Sequence, residues 1–266
     1  MGILKQIVEK KKLRLADAKG SISLPELKLR IEDLPDTRPF SDAIRRSGDG
    51  KMKVVAEIKK ASPSQGLIRA DFDPVAIARI YESKGASAIS VLTEEDFFQG
   101  NLAYIEQVKG VTEIPILRKD FIVDEYQIYE ARAYKADAIL LIAAILNGGQ
   151  AKEYLNMAHE TGLSVLFEVH NYRELDMAMM IDAPVIGINN RNLMTLSINL
   201  NTTTSMLKDI PDDKIVVTES GISGREDVRF FEDSGVDAIL IGTALMKEED
   251  IGSKFDELFK NDKPKN

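Results

Sequence analysis

A chain of 266 residues, 44% apolar and 29% charged, is long and apolar enough to bury a large core, which excludes disorder for its bulk. Its formal net charge of −8 argues against a sequence-independent nucleic-acid binder, whose footprint is a basic face. With no Cys and only His159 and His170 as imidazoles, disulfides, thiolate catalysis, Cys-based zinc sites and multi-His metal centres are excluded.

Met1 to Lys19 is a charged amphipathic helical pattern carrying Ile3, Leu4, Ile7, Val8, Leu13 and Leu15. It has the form of neither a signal peptide nor a membrane span, so a cytoplasmic protein without membrane contact is expected. The run Lys10-Lys11-Lys12 reads as a solvated helix face. Gly20 to Gly50, with Pro25, Pro35 and Pro39, reads as loop-rich with one short helical pattern from Phe40 to Arg46. Residues 1–50 are therefore expected to form an amino-terminal helical extension, and residues 51–266 a single barrel domain.

From about Met52, strand and helix patterns alternate. Asp73-Pro74 opens a helix with an acidic cap and proline in the first turn, and Gly85 closes it. Strands follow at 86–92, 114–119, 137–142, 164–169, 185–189, 214–219 and 237–242, eight in all with the first. The segment Gly85 to Leu92 recurs at Lys135 to Ile142 and at Gly235 to Gly242, spacings of about two and then about four strand–helix units. Eight strands apolar on both faces and joined through helices predict an α/β fold of the (β/α)8 TIM barrel class. A doubly wound open sheet is the alternative, but no strand here has the polar character of a sheet edge.

In a barrel, chemistry belongs at the carboxyl ends of the strands. The first strand, starting at Lys53, runs into Glu57 and Lys59, which share a face with Val55, before Ser62-Pro63-Ser64 and Gly66 break it. Taken alone, that pair is as well explained by a surface ion pair as by a catalytic strand end. Other strands end in Arg118-Lys119-Asp120, Glu168 and His170, Asn189-Asn190-Arg191, Glu219-Ser220-Gly221, and Gly242-Thr243. The glycine–hydroxyl turns at Ser220-Gly221 and Gly242-Thr243 fall after strands seven and eight, a frequent phosphate position in barrels, and Lys59 is placed to supply a counter-charge. Lys119 and Glu168, with Glu57 and Lys59 beside them, are the acid–base candidates; mutual ion pairing is the bland account of the same residues. Phe97, Phe98 and Phe121 fall in loops where they can line a pocket for a flat apolar group, while His170 reads as a loop residue or a supporting partner.

Together these motifs carry a family resemblance. Glu57-Ile-Lys-Lys-Ala-Ser-Pro-Ser64, Leu92-Thr-Glu-Glu-Asp-Phe-Phe-Gln-Gly100, Leu117-Arg-Lys-Asp-Phe-Ile-Val123, Glu168-Val-His170, Gly187-Ile-Asn-Asn-Arg-Asn-Leu193 and Glu219-Ser-Gly-Ile-Ser223 resemble those of indole-3-glycerol phosphate synthase over nearly the whole chain. The resemblance implies a ring closure of 1-(2-carboxyphenylamino)-1-deoxyribulose 5-phosphate with loss of carbon dioxide and water, in tryptophan biosynthesis. It implies no metal and no cofactor, and this small phosphorylated molecule as the partner; a monomer is expected. By the same resemblance Lys119 is the catalytic acid, Glu168 a carboxylate acting late, in dehydration, and Glu57 with Lys59 the remaining essential pair. Asn189 and Arg191 hold the substrate and the catalytic glutamate, and Ser62 and Ser220 make polar substrate contacts. Gly221, Gly242, Thr243 and Lys59 serve the phosphate, while Pro63, Phe98, Phe121, Leu140 and Leu193 wall the anthranilate ring. Gln65 departs from the family, where lysine is common. A sugar-phosphate isomerase or a Schiff-base aldolase on a phosphate-binding barrel is the competing enzyme class, and a non-enzymatic phosphate-binding barrel the third reading.

Overall fold

A computed structural model describes residues 2–46, 50–193 and 195–260. Met1 of the predicted first helix, residues 47–49 of the predicted extension, and residues 194 and 261–266 of the predicted barrel domain lie outside the described residues. Eight parallel strands close into a barrel: β1 (Lys53–Ile58), β2 (Ala88–Leu92), β3 (Ile116–Lys119), β4 (Ala138–Ile142), β5 (Ser164–Val169), β6 (Val185–Asn189), β7 (Ile215–Glu219) and β8 (Ala238–Ile241). Each pairs with its neighbours in sequence, and β8 closes onto β1 through Val55 beside Leu240. The barrel expectation is borne out, and the open sheet is excluded because no edge is left. The helix after β1 starts as its sequence indicates, with the Asp73 carboxylate accepting from the N–H groups of Val75 (2.9 Å) and Ala76 (3.1 Å).

Strand alternation sorts the core into two layers. Val54, Ala56, Ile58, Ile89, Val91, Ile139 and Leu141 pack between sheet and helices. Val55, Leu117, Leu140, Leu166, Val217 and Leu240 fill the barrel's interior. One step further along the odd strands, two residues past Val55, Leu117, Leu166 and Val217, stand Glu57, Lys119, Glu168 and Glu219. Barrel interiors fill in layers of four side chains drawn from alternate strands, usually bulky and apolar. Here one such layer is ionisable, and the even strands leave it room. A Cβ on Gly242, just past β8, would sit 2.5 Å from Glu57 Oε1, and one on Gly187 of β6 would overlap Glu219 Oε1.

The last helix of the amino-terminal extension closes the opposite end. Helix α1 (Ile3–Ser21) is followed by α2 (Leu24–Glu32) and α3 (Phe40–Ile44). The sequence reading placed no helix at α2, because Pro25 looked like a breaker. In the fold Ser23 Oγ accepts from the Glu26 N–H (3.3 Å) and Pro25 sits in the first turn, where its missing N–H costs nothing. From α3, Phe40 and Ile44 are fully buried among the interior residues, beside Ala88, Ala138 and Ala238. Those three alanines are one position of the internal repeat, and their small size leaves space for the plug. The repeat's Asp137 and Asp237 fasten the same segment, accepting from the backbone N–H of Arg38 (2.7 Å) and Arg46 (2.9 Å). Phe40→Ala should therefore cost about 3–5 kcal/mol, read as a lower urea midpoint with turnover unchanged. A midpoint that stays put would show that the plug adds nothing to stability.

Lys11 corrects a second expectation. It is not solvated: only 5% of it is exposed, and its Nζ pairs with Asp120 (2.9 Å) and Glu95 (3.2 Å) in the loops after β3 and β2. Arg14 and Lys19 on the same helix pair with Asp96 (2.9 Å) and Asp124 (2.8 Å). A helix that looked like a charged surface element is thus tied across the mouth of the barrel. Among the described residues, no helix is long and apolar enough to cross a membrane.

Candidate active site

The carboxyl ends of the strands surround a cavity of about 500 Å³. Glu57, Lys59, Ser62, Pro63, Phe98, Lys119, Phe121, Leu140, Glu168, Asn189, Arg191, Leu193, Ser220, Gly221, Gly242 and Thr243 all border it, as does Gln65. Phe97 and His170 do not. Sequence reasoning gave no role to Glu219, which lines the same cavity, or to Ile3, Leu4 and Ile7 of α1, which cover one side of it. Glu219 had a readable signal, since it lies two residues beyond the inward-facing Val217. The α1 contacts had none, because their partners are distant in sequence.

Ion pairing organises the floor. Lys119 Nζ lies 3.1 Å from Glu168 Oε2 and also pairs with Glu219, and Lys59 pairs with Glu57. Burial alone would push the Lys119 ammonium down, but Glu219, Glu168 and Glu57 more than offset it and hold its pKa above the ordinary lysine value. Burial pushes the Glu168 carboxyl up, and here too the neighbours win: Lys119 and His170 hold it below the usual carboxylate range. Glu219 goes the other way. Burial, with the charges of Glu168 and Glu57, outweighs the pull of Lys119 and pushes it up to about 7. Three carboxylates thus share two ammonium groups, and the surplus charge falls on Glu219, whose Oε1 finds no hydrogen-bond donor among the described residues.

Loops are set from behind. The buried Glu94 carboxylate accepts from the N–H groups of Asp96 (3.1 Å), Phe97 (2.8 Å) and Phe98 (3.0 Å), which turns Phe98 toward Phe121 at a centroid distance of 6.2 Å. Ala61-Ser62 pairs antiparallel with Gly66-Leu67, so the loop after β1 is paired rather than open. Arg118 does not reach the cavity: it faces the helix layer, bound to Asp120 (3.2 Å) and Glu130 (2.8 Å). Asn189 Oδ1 accepts from the Arg191 N–H (3.0 Å), and the Arg191 guanidinium donates to the Leu196 carbonyl (3.2 Å). Among the described contacts, it is Lys119 and His170 that touch Glu168, with Asn189 and Arg191 at the rim. Ser220 and Gly221 leave β7 through successive positive φ angles of 67° and 90°, a tight turn at the cavity's edge.

Such a floor can donate and accept protons beside an apolar wall, and the turns after β7 and β8 offer backbone and hydroxyl groups to an anion. The family model for indole-3-glycerol phosphate synthase matches residues 4–258. An indole-3-glycerol phosphate synthase of Chromobacterium violaceum is 47% identical over 258 residues, spanning 97% of each chain. One from Neisseria gonorrhoeae is 45% identical over 260 residues, 97% of this chain and 99% of that protein. Among solved structures, a mutant tryptophan synthase alpha-subunit from Pyrococcus furiosus superposes with a TM-score of 0.58 at 17% identity, covering 77% of this chain and 97% of the other. A thiamine phosphate pyrophosphorylase from the same organism gives a TM-score of 0.58 at 18% identity, covering 77% and 93%. Those two likenesses are of fold.

Proposed function

The chain belongs to the indole-3-glycerol phosphate synthase family, and on that premise we propose how its residues divide the work. It is a decarboxylating carbon–carbon lyase of tryptophan biosynthesis, closing the indole ring of 1-(2-carboxyphenylamino)-1-deoxyribulose 5-phosphate with loss of carbon dioxide and water. The observation that carries the division is the ionisable layer, with one ammonium, Lys119, set between Glu168 and Glu219 beneath a wall of Phe98 and Phe121.

The ring carbon bearing the carboxylate must attack the ketone carbon, and the ketone oxygen must gain a proton as it does. Lys119 is the donor: its neighbours keep it charged, and it projects into the cavity. The carbon–carbon bond to the carboxylate then breaks, its electrons restore the aromatic ring, and carbon dioxide leaves. What remains is an alcohol that must lose hydroxide, as water, and a proton from the neighbouring carbon. Glu168 takes that proton, and the Lys59–Glu57 pair stands beside the same mouth to assist hydroxyl departure and to meet the phosphate. Gly221, Gly242 and Thr243 receive the phosphate at the far rim. Ser62 and Ser220 make polar contacts with the sugar, and Asn189 with Arg191 orients it. Pro63, Leu140 and Leu193 complete the apolar wall around the anthranilate ring. A phosphorylated sugar does not cross membranes unaided, which supports a cytoplasmic site of action. The most exposed large apolar side chains among the described residues, Leu13, Leu29 and Met180, lie on separate elements, which supports a monomer.

The chain contains no Trp, so the product's indole fluorescence rises on a background of tyrosine alone. Purified protein mixed with the substrate in EDTA should give that rise. A folded protein that stays dark would return the choice to the isomerase or aldolase reading, which borohydride trapping on Lys59 or Lys119 would then separate.

A further inference from the structure

Glu168 is held from two sides, and Lys119 is only one of them. His170, two residues along on the same strand face, has a side chain 7% exposed whose Nε2 lies 3.1 Å from Glu168 Oε1. This nitrogen is within ion-pair range, slightly off hydrogen-bond alignment, and has no other partner among the described residues. The other ring nitrogen, Nδ1, lies 2.9 Å from Glu174 Oε2, and the same oxygen accepts the His170 backbone N–H at 2.8 Å. Glu174 is itself fixed. Its Oε1 accepts from Asn171 Nδ2 (2.7 Å) and its N–H donates to Asn171 Oδ1 (3.1 Å), a reciprocal cap at the start of the helix Tyr172–Met180. An unbroken line of contacts therefore runs from that helix start through Glu174, His170, Glu168 and Lys119 to Glu219.

Both ring nitrogens face carboxylate oxygens. An ionised carboxylate only accepts, and a neutral imidazole carries one nitrogen that also only accepts, so two carboxylate oxygens at 3.1 and 2.9 Å favour protons on both nitrogens and a cationic ring. Burial pushes the imidazole down, but Glu168 and Glu174 outweigh it and raise it to about 10. The remaining charges nearby, Glu219 from β7 and Glu57 from β1, gather around Lys119 of β3, which pairs with Glu168.

We propose that His170 is a positioning residue for Glu168: clamped by Glu174, its ring holds the carboxylate from the side opposite Lys119, so that Glu168 stays ionised and in place when Lys119 gives up its proton. A neutral Lys119 no longer holds Glu168, and a buried carboxylate without a cation takes up a proton or swings toward water. The second cation keeps it available as an acceptor for the later step. This inference rests on the reading of Glu168 as the dehydrating base.

His170→Gln keeps a polar group without the charge. It should lower kcat on the order of tenfold with KM little changed, and raise the acid limb of the kcat–pH profile by about one unit. Glu174→Gln, which loosens the clamp and leaves the ring, should shift the limb in the same direction by less. Histidine NMR gives a readout that needs no turnover, because only His159 and His170 contribute. The His170 ring should remain doubly protonated well above neutral pH, and Glu168→Gln should lower its pKa. A neutral His170 ring in the wild-type protein at mildly alkaline pH, or an unmoved acid limb in a fully active His170→Gln enzyme, would overturn the proposal. The two readings fail separately. A Glu168→Gln enzyme that turns over normally removes the base itself, whereas a dead Glu168→Gln beside an unaltered His170→Gln removes only the positioning role.

Discussion

Lys119→Met should cut turnover by on the order of a hundredfold or more, the usual scale for removing a proton donor from the reacting atoms, while substrate still binds. Methionine keeps most of the stem volume, so the change is chemical rather than a cavity. The loss should also reshape stability. Two buried carboxylates, Glu168 and Glu219, would lose their shared ammonium; Glu168 keeps His170, so it is Glu219 whose folded-state pKa rises further above the unfolded value. A group whose folded pKa is raised stabilises fully below its unfolded pKa and loses that contribution as pH rises through the folded one. The variant should therefore lose stability relative to the parent from mildly acidic through alkaline pH, with Glu219, already pushed up to about 7, leading the change. Chemical denaturation at pH values on either side of neutrality measures this. A folded Lys119→Met enzyme with turnover close to normal would sink the assignment of the acid.

Glu168→Gln should be as damaging, again on the order of a hundredfold, but at a different point of the reaction. Glutamine fills the same space and removes only the charge and the basicity. If Glu168 accepts the proton lost in dehydration, ring closure and decarboxylation precede the block. A single turnover should then release carbon dioxide ahead of any indole fluorescence, with the alcohol accumulating between them. Carbon dioxide and indole appearing together, at one slowed rate, would move Glu168 to the first chemical step.

Much of this site was legible before folding, because two rules act locally. Alternation along β1 puts Glu57 and Lys59 on one face, and the same count of two from Leu117 and Leu166 leads to Lys119 and Glu168. Barrel geometry then assigns strand ends to the mouth. Illegible features depend on partners far along the chain. Lys11 looks like any lysine in a run of three until Glu95, 84 residues away, and Asp120 surround it. Whether Pro25 breaks a helix or begins one turns on Ser23 acting as a cap, a choice that packing of Leu27 against Leu15 and Tyr126 settles. Glu219 sits at a position the alternation rule reaches, yet its weight comes from sharing Lys119 with Glu168, a contact across 100 residues.

The inward layer at the mouth also separates two tasks by strand parity. Glu57, Lys119, Glu168 and Glu219 come from odd strands, whereas Leu140, Gly187, Asn189, Leu240 and Gly242 belong to even strands or their exits. Reactivity and shape are consequently written on interleaved staves of the same barrel. The pocket can be recut for a bulkier or slimmer ring by substitutions at Leu140 or Leu240 that leave each proton carrier on its own backbone. Gly187 and Gly242 are the exceptions, since the space they vacate is already occupied by carboxylates. A search for altered substrates has its freedom on β4 and in the middle of β8, and almost none at those two glycines.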